Sequence, residues 1–378
     1  MRIVGLIAEY NPFHRGHQYH LDTAREITHA DGVVVVMSGD FVQRGLPAVT
    51  DKYRRTEMAL AAGADAVFEL PVSYATGSAE CFASGAVHLL HEMGAVTDLV
   101  YGCECGDQRR LRELAALLAE EPEDYRICLQ GKLRQGRSFP AARSEAAEAV
   151  LPGAAGLLSA PNNILAVEYE KALLRLSSPI CSRGILRRGA GYHESASAIR
   201  RALADGDADL LSRELPETSL PLLDYGMEAD DFSALLAYRL RMLDPDSLTD
   251  YQDVTPVLAA RIRTRREPVH SFAQLALDLK TRDLTLTHVQ RALLHLLLGI
   301  KKEAPAARTL RLLGFRRETQ VLSEIKAASR LPMLVKMADD KEDLLADERR
   351  AADIYNQAVW NKYQRQLPDE YHAGPVIL

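Results

Sequence analysis

The chain lacks the features that would set it apart from ordinary globular proteins. No apolar run reaches the roughly 18 residues that a membrane-spanning helix needs. The opening Met1-Arg2-Ile3-Val4-Gly5-Leu6-Ile7 is too short for a signal peptide and carries no small-residue cleavage site. Five cysteines in 378 residues make no disulfide framework. Cys103-Glu104-Cys105 has the wrong spacing for a zinc knuckle, and no second pair completes a site. There is no Gly-x-x-x-x-Gly-Lys-Ser/Thr, so a Walker-type phosphate loop is excluded. Internal repeats and low-complexity linkers are absent. The expectation is a cytoplasmic protein with reduced thiols, without a side-chain metal site, membrane association or an obligate protein partner.

What remains is ordinary globular composition, 47% hydrophobic and 26% charged. At about 100–200 residues per domain, the length implies two or three domains. A net charge of -6 hides an asymmetry. Val257–Lys336 holds 16 Lys and Arg against 6 Asp and Glu, whereas the rest holds 30 against 46. A basic segment on an acidic protein suggests a footprint for a polyanion, although helical surfaces carry many Lys and Arg in any case.

The first hundred residues read as strand and helix in alternation. Strands are expected at Arg2–Ala8, Val33–Met37, Ala66–Glu69 and Asp98–Tyr101, with helices at His17–Thr28, Asp51–Ala62 and Ser78–Met93. That order predicts a doubly wound parallel sheet with Rossmann-like topology, whose ligands sit beyond the carboxyl ends of the strands. Leu111–Asn163 reads as helical, with a mobile-looking insertion at Gly131–Arg137, and Pro179–Leu186 as a further strand. From about Ala204 onward the pattern is mostly helical. The division expected is 1–205 for the α/β half and 206–378 for a helical, basic half.

The strongest signal follows the first strand: Glu9-Tyr10-Asn11-Pro12-Phe13-His14-Arg15-Gly16-His17-Gln18-Tyr19-His20. His14 and His17 flank Gly16 at the start of a helix. Free N–H groups and the positive dipole end there favour phosphate, and a glycine admits a close approach to the backbone. Two imidazoles can donate to phosphate oxygens as charge builds in an in-line displacement. The bland alternative is a pair of capping or core histidines. Asp40, just beyond the second strand, is a candidate to orient an amine, accept its proton or help hold a metal; its bland reading is a turn residue. Lys52 and Arg54 read first as a solvated helix face. Asn162 and Asn163 follow Pro161; one caps a helix and the other is free to read adenine or ribose. His295 reads as packed rather than catalytic, and Cys103 has no feature that would make it a nucleophile.

These residues resemble the His-x-Gly-His nucleotidyltransferase superfamily. Its second element, a Ser/Thr-rich turn before Ile-Arg, is similar to Ser195-Ala196-Ser197-Ala198-Ile199-Arg200, with Ala196 in place of a usual Ser. The fuller match runs through Ala8–His20, Ser38–Gly45, Gly63–Pro71, Pro161–Tyr169, Arg187–His193 and Arg291–His295, and resembles the bacterial tRNA(Met) cytidine acetate ligase family. Departures are Cys103 where Ser is expected and Thr309 where an aromatic is usual. The resemblance implies an enzyme that activates acetate with ATP, with Mg2+ as the default companion of the nucleotide, and acetylates N4 of the wobble cytidine of elongator tRNA(Met). It implies an ATP site built from Ile7, Ala8, Glu9, Tyr10, Asn11, Pro12, Phe13, His14, Arg15, Gly16, His17, Gln18, Tyr19, His20, Gly102, Asn162 or Asn163, and Arg187 or Arg188, with Ser197 and Arg200 near the phosphates. His14, His17 and Asp40 are the catalytic candidates. The basic segment, with Arg261, Arg263, Arg265, Arg266, Lys280, Arg282, Arg291, Lys301, Lys302, Arg308, Arg311, Arg316 and Arg317, would carry the tRNA backbone. The competing readings are a coenzyme adenylyltransferase and an ATP-binding, non-catalytic RNA-binding protein.

Overall fold

A computed structural model describes residues 1–186, 192–265, 268–302 and 306–378, and the backbone alone at 192–195. Its centre is one sheet. The strands in chain order are β1 (Ile3–Ala8), β2 (Gly32–Ser38), β3 (Phe41–Val42), β4 (Leu46–Pro47), β5 (Ala66–Leu70), β6 (Asp98–Cys103), β7 (Cys181–Leu186), β8 (Leu310–Phe315), β9 (Met333–Leu334) and β10 (Val376–Ile377). The sheet runs β10-β8-β5-β2-β1-β6-β7, with β9 beside β8, while β3 and β4 form a separate hairpin. Pairings from β5 through β2, β1 and β6 to β7 are parallel. The order of the first five sheet strands reverses between β1 and β6, which is the switch point where doubly wound sheets bind ligands.

Strand alternation explains the layering. Val4, Leu6, Val33, Val35, Val67 and Leu313 face one side, where they meet Leu21 and Ala24 of helix α1 (Arg15–Thr28) and Met58 and Ala59 of helix α2 (Lys52–Ala61). Their neighbours Ile3, Val34, Val36, Ala66, Phe68 and Leu312 face the other side, against Phe82, Ala86 and Leu90 of helix Ala79–Glu92 and Ala166 of helix Pro161–Arg175. A third core lies among helices Ser233–Met242, Pro256–Arg265, Phe272–Leu279, Leu286–Leu298 and Ala346–Tyr363, with Phe41 and Val72 inserted from the first half.

Three differences from the sequence reading have physical causes. β8 pairs antiparallel to β5, so the sheet is mostly rather than wholly parallel. β8, β9 and β10 all lie beyond residue 206 yet join the first half's sheet; a strand such as Leu310–Phe315 is indistinguishable by composition from a helix segment until its partner is known. The chain therefore crosses back over the expected boundary at 206. The supposed insertion at Gly131–Arg137 lies largely inside helix Glu123–Arg134, followed by a turn at Gly136. Among the described residues, no helix is long and apolar enough to cross a membrane.

Candidate active site

The C-terminal ends of β1 and β6 open into a cavity of about 630 Å³. Helix α1 starts at its wall, and the two histidines set that start. The His14 side chain is the N-cap: its Nδ1 accepts the Gly16 N–H at 3.1 Å. The His17 Nδ1 in turn accepts the His14 N–H at 3.3 Å. Two imidazoles thus form a reciprocal capping box of the kind usually built by Ser and Glu. A ring nitrogen that accepts carries no proton, so the neutral tautomer holds its proton on Nε2 in both rings. The rings stack with centroids 3.8 Å apart. Tyr10 braces His17 edge-on at 4.9 Å, and Phe13 lies tilted against it at 5.6 Å. The cap, which read in sequence as the alternative to phosphate donation, is made by Nδ1 of each ring.

Two arginines hold the loops around this start. Arg55 is fully buried and donates to the carbonyls of Glu9 (2.8 Å), Ser38 (3.0 Å), Thr50 (3.0 Å) and Gly39, clamping the ends of β1 and β2 together. Arg200 lines the cavity and donates to the Asn11 carbonyl at 2.8 Å and to Ser197 Oγ at 3.3 Å. The Asn11 side chain accepts the Val49 N–H at 2.7 Å. Glu9 Oε1 accepts the Gln43 N–H at 2.9 Å, and burial raises its carboxyl above the usual range despite the nearby Arg44, Arg200 and Arg55.

Among the residues expected at the ATP site, Ile7, Ala8, Glu9, Tyr10, Asn11, His14, Gly16, His17, Tyr19, His20, Gly102, Asn162 and Arg200 line the cavity. Pro12, Phe13, Arg15, Gln18 and Ser197 are not in its lining. Phe13 belongs to the core, Arg15 donates to the Arg213 carbonyl, and Gln18 bonds Asp22 and the Ala62 carbonyl. The two asparagines separate. Asn162 faces the cavity. Asn163 is buried, and its Oδ1 accepts the N–H groups of Glu104 (2.8 Å) and Cys105 (3.1 Å). Neither caps its own helix: Glu104 does, accepting the N–H of Asn162 and of Asn163 (2.8 Å). Arg187, Arg188 and Arg266 lie outside the described residues.

Asp40 is displaced from the expected site. It is buried and absent from the cavity lining; its Oδ1 accepts the Lys52 N–H at 2.8 Å. Lys52 is not a solvated lysine either. It is 1% exposed, with its ammonium 2.9 Å from Glu69 and 3.1 Å from Glu370. Burial alone would depress that ammonium, but Glu370 and Glu69 outweigh it and hold the pKa well above the lysine range. Arg311, expected on the tRNA face, lies in this same cluster, 3.7 Å from Glu370 and donating to the Val335 carbonyl at 2.7 Å. Burial pushes the Asp40 carboxyl up to about 7. His295 is packed: its ring bonds Thr76 Oγ1 and the Gln252 carbonyl, both at 3.0 Å, and burial pulls it down to about 4. Burial also raises the Cys103 thiol to about 11, away from nucleophilic use.

Sequence reasoning missed the opposite wall. Gln43 and Arg44 at the β3–β4 tip, Ala79, Phe82, Leu165, Tyr169 and Thr287 line the cavity. The tip is held by Gly45, at φ +73°, where a Cβ would meet the Arg291 N at 2.4 Å. Only glycine fits both the backbone and that approach, so the hairpin docks directly on helix Leu286–Leu298. The early signs of this wall were the family-like blocks Ser38–Gly45 and Pro161–Tyr169, which contain Gln43, Arg44, Leu165 and Tyr169, and Arg291–His295 on the helix that carries Thr287.

A family model described as HIGH Nucleotidyl Transferase matches residues 1–370. The tRNA(Met) cytidine acetate ligase of Acetivibrio thermocellus is 36% identical over 415 aligned positions, covering 100% of both chains. That of Thermoanaerobacter sp. is 38% identical and covers 96% of each. A crystal structure of Thermotoga maritima TmcAL bound with alpha-thio ATP superposes with a TM-score of 0.94 at 30% identity, over 100% of both chains. The sheet, the capped histidine pair and these end-to-end likenesses agree: the chain belongs to the tRNA(Met) cytidine acetate ligase family of HIGH nucleotidyl transferases.

Proposed function

We propose that this chain is an ATP-dependent ligase that converts acetate to acetyl-adenylate and acetylates N4 of the wobble cytidine of elongator tRNA(Met). The observation that carries the reading is the reciprocal histidine cap at the end of β1, in a chain alignable along its length with relatives of that name. Binding of alpha-thio ATP by a relative supports ATP as the nucleotide.

The chemistry follows from charge. A carboxylate oxygen of acetate attacks the α-phosphorus, and both partners are anionic. Holding them in line is worth up to about 7–11 kcal/mol. His14 and His17 present Nε2–H donors to the phosphate oxygens on which charge grows, and Arg200 adds a fixed positive charge as pyrophosphate leaves. Gly102, Asn162, Ile185 and Leu186, on the β6–β7 side, offer an amide and an apolar slot to adenosine. Arg187 and Arg188 remain phosphate contacts by resemblance. Among the described residues, no group of three or more His, Cys, Asp or Glu is placed to hold a metal ion. Mg2+ would accompany the nucleotide and would help to neutralise its phosphate charge; the steps above run through the chain's own residues.

The tRNA reading rests on the basic second half. Lys280, Arg282, Lys302, Arg316 and Arg317 are exposed. Lys280 and Arg282 directly precede the helix whose Thr287 lines the cavity, which suits contacts to phosphates flanking a base inserted there. A tRNA substrate also fits work in the cytoplasm. The test is mass spectrometry of nucleosides from unmodified elongator tRNA(Met) after incubation with the protein, ATP and labelled acetate. Labelled N4-acetylcytidine at the wobble position is expected. Acetate-dependent AMP and pyrophosphate without it would leave activation standing and remove the RNA target.

A further inference from the structure

The cavity has two flanks around β1. Toward β6 and β7 lie Gly102, Asn162, Ile185 and Leu186; toward β2 lie Gln43 and Arg44 of the hairpin, with Ala79, Phe82 and Thr287. With the histidines assigned above to the phosphates at the start of α1, the β2 flank is the part of the cavity left for a second substrate. Glu9 directly follows β1 and is tied to the hairpin by the Gln43 N–H. Among the described lining residues it is the one acid. A carboxylate repels ATP and acetate alike, so its presence in an anion site needs a different partner. Phe82 and Tyr169 line the same cavity, and Tyr169 lies close enough to Glu9 for its phenol to feel that charge.

We propose that Glu9 reads the acceptor base: its carboxylate accepts a hydrogen bond from the exocyclic N4 amine of cytidine and takes the proton released in transfer. This rests on the ligase reading above. A carboxylate is the natural partner of the cytosine amine and rejects uracil, which presents a carbonyl oxygen at the same position. Aromatic rings are the usual platform for a base taken out of its stack. In the step itself, the N4 lone pair forms a bond to the acetyl carbonyl carbon. The bond from that carbon to the phosphate-bridging oxygen breaks, and AMP departs with the electron pair. The amine proton passes to Glu9 and then to solvent. Arg44, Arg200 and Arg55 favour the ionised form of Glu9, burial opposes it, and the Gln43 N–H fixes one oxygen, leaving the other for the amine.

The test uses the full-length chain with Glu9→Gln. Glutamine keeps an acceptor for the Gln43 N–H, so the loop is held, but it cannot take a proton. Two rates are read: acetate-dependent ATP–pyrophosphate exchange, and acetyl transfer to tRNA from added acetyl-adenylate. Transfer should fall by about 10²–10⁴-fold, the usual contribution of a proton acceptor. Exchange should fall far less, and the acid limb of the wild-type transfer pH profile should disappear. Equal loss of both rates, or retention of both, overturns the proposal. A second measurement needs no variant: a transcript with uridine at the wobble position should neither accept acetyl nor inhibit transfer competitively at the cytidine transcript's KM. Tight competition by it would also overturn the proposal. If wild-type protein acetylates no tRNA at all, the ligase reading fails instead, so the two failures are distinguishable.

Discussion

Two polar clusters sit beyond the ends of neighbouring strands, β1 and β2, and behave as opposites. The first, at the end of β1, is open: His14, His17, Glu9 and Arg200 face a cavity and are oriented by backbone partners. The second, beyond the end of β2, is sealed: Lys52, Glu69, Glu370 and Arg311 are each at most 5% exposed and face one another, with Asp40 on the Lys52 N–H. Both lie at carboxyl ends of strands, where doubly wound sheets keep their chemistry. Strand-end position alone therefore does not make a site. What separates them is where the valences are spent. In the open cluster one atom of each ring is used for structure and the other is a donor; in the sealed cluster the charges neutralise each other. The sealed cluster also joins the two halves of the chain, since Lys52 and Glu69 meet Glu370 and Arg311 across roughly 300 residues of sequence.

The largest expected effect strikes the sealed cluster. Lys52→Met leaves Glu69 and Glu370 buried without their shared cation, which should cost about 3–5 kcal/mol. The urea midpoint should drop accordingly, while the folded fraction keeps its acetate-dependent pyrophosphate exchange. An unchanged midpoint would mean the cluster is not a structural tie.

Asp40 gives a finer cut. Its carboxyl is raised to about 7, and that of Glu348, which accepts the Val72 N–H, is raised to about 7 as well, in both cases chiefly by burial. The folded protein thus binds more protons than the unfolded chain between about pH 4 and 7. Stability from these two groups is complete below about pH 4 and is lost as pH rises through about 7. Asp40→Asn, which still accepts the Lys52 N–H, should flatten that decline in a pH series of urea melts and lower acetyl transfer by less than about tenfold. A loss as deep as that from removing His14 would return Asp40 to the catalytic site.

The smallest effect is on the basic loop before helix Leu286–Leu298. Lys280→Ala with Arg282→Ala should raise KM for tRNA and reduce the salt slope of binding by about 1 per lost phosphate contact. Acetate-dependent exchange should be unaltered. An unchanged salt slope would place the tRNA on another face.

Much of the frame was legible because its signals are local. The alternation of apolar runs and helices placed β1, β2, β5 and β6 to within two residues, and His14-Arg15-Gly16-His17 marked the cavity. Three things were hidden because they depend on distant partners. Lys52 and Arg54 share a helix turn, and nothing local says that one of them points at Glu370. Asn162 and Asn163 are equivalent in sequence; only the docking of Glu104 on their N–H groups turns one inward. Arg311 reads as part of a basic stretch because β8 is invisible until β5 is beside it. The further wall of the cavity was missed for the same reason, since Thr287 reaches it from the third core.

The central claim is that the capped histidine pair activates acetate on ATP. The most direct measurement is acetate-dependent ATP–pyrophosphate exchange in wild-type protein and in His14→Ala, with urea melts alongside. Loss of a charge-stabilising donor should lower exchange by about 10²–10³-fold, while loss of the cap lowers stability by only about 1 kcal/mol. Exchange that survives in His14→Ala at wild-type rate would contradict the account and leave the pair as a helix cap alone.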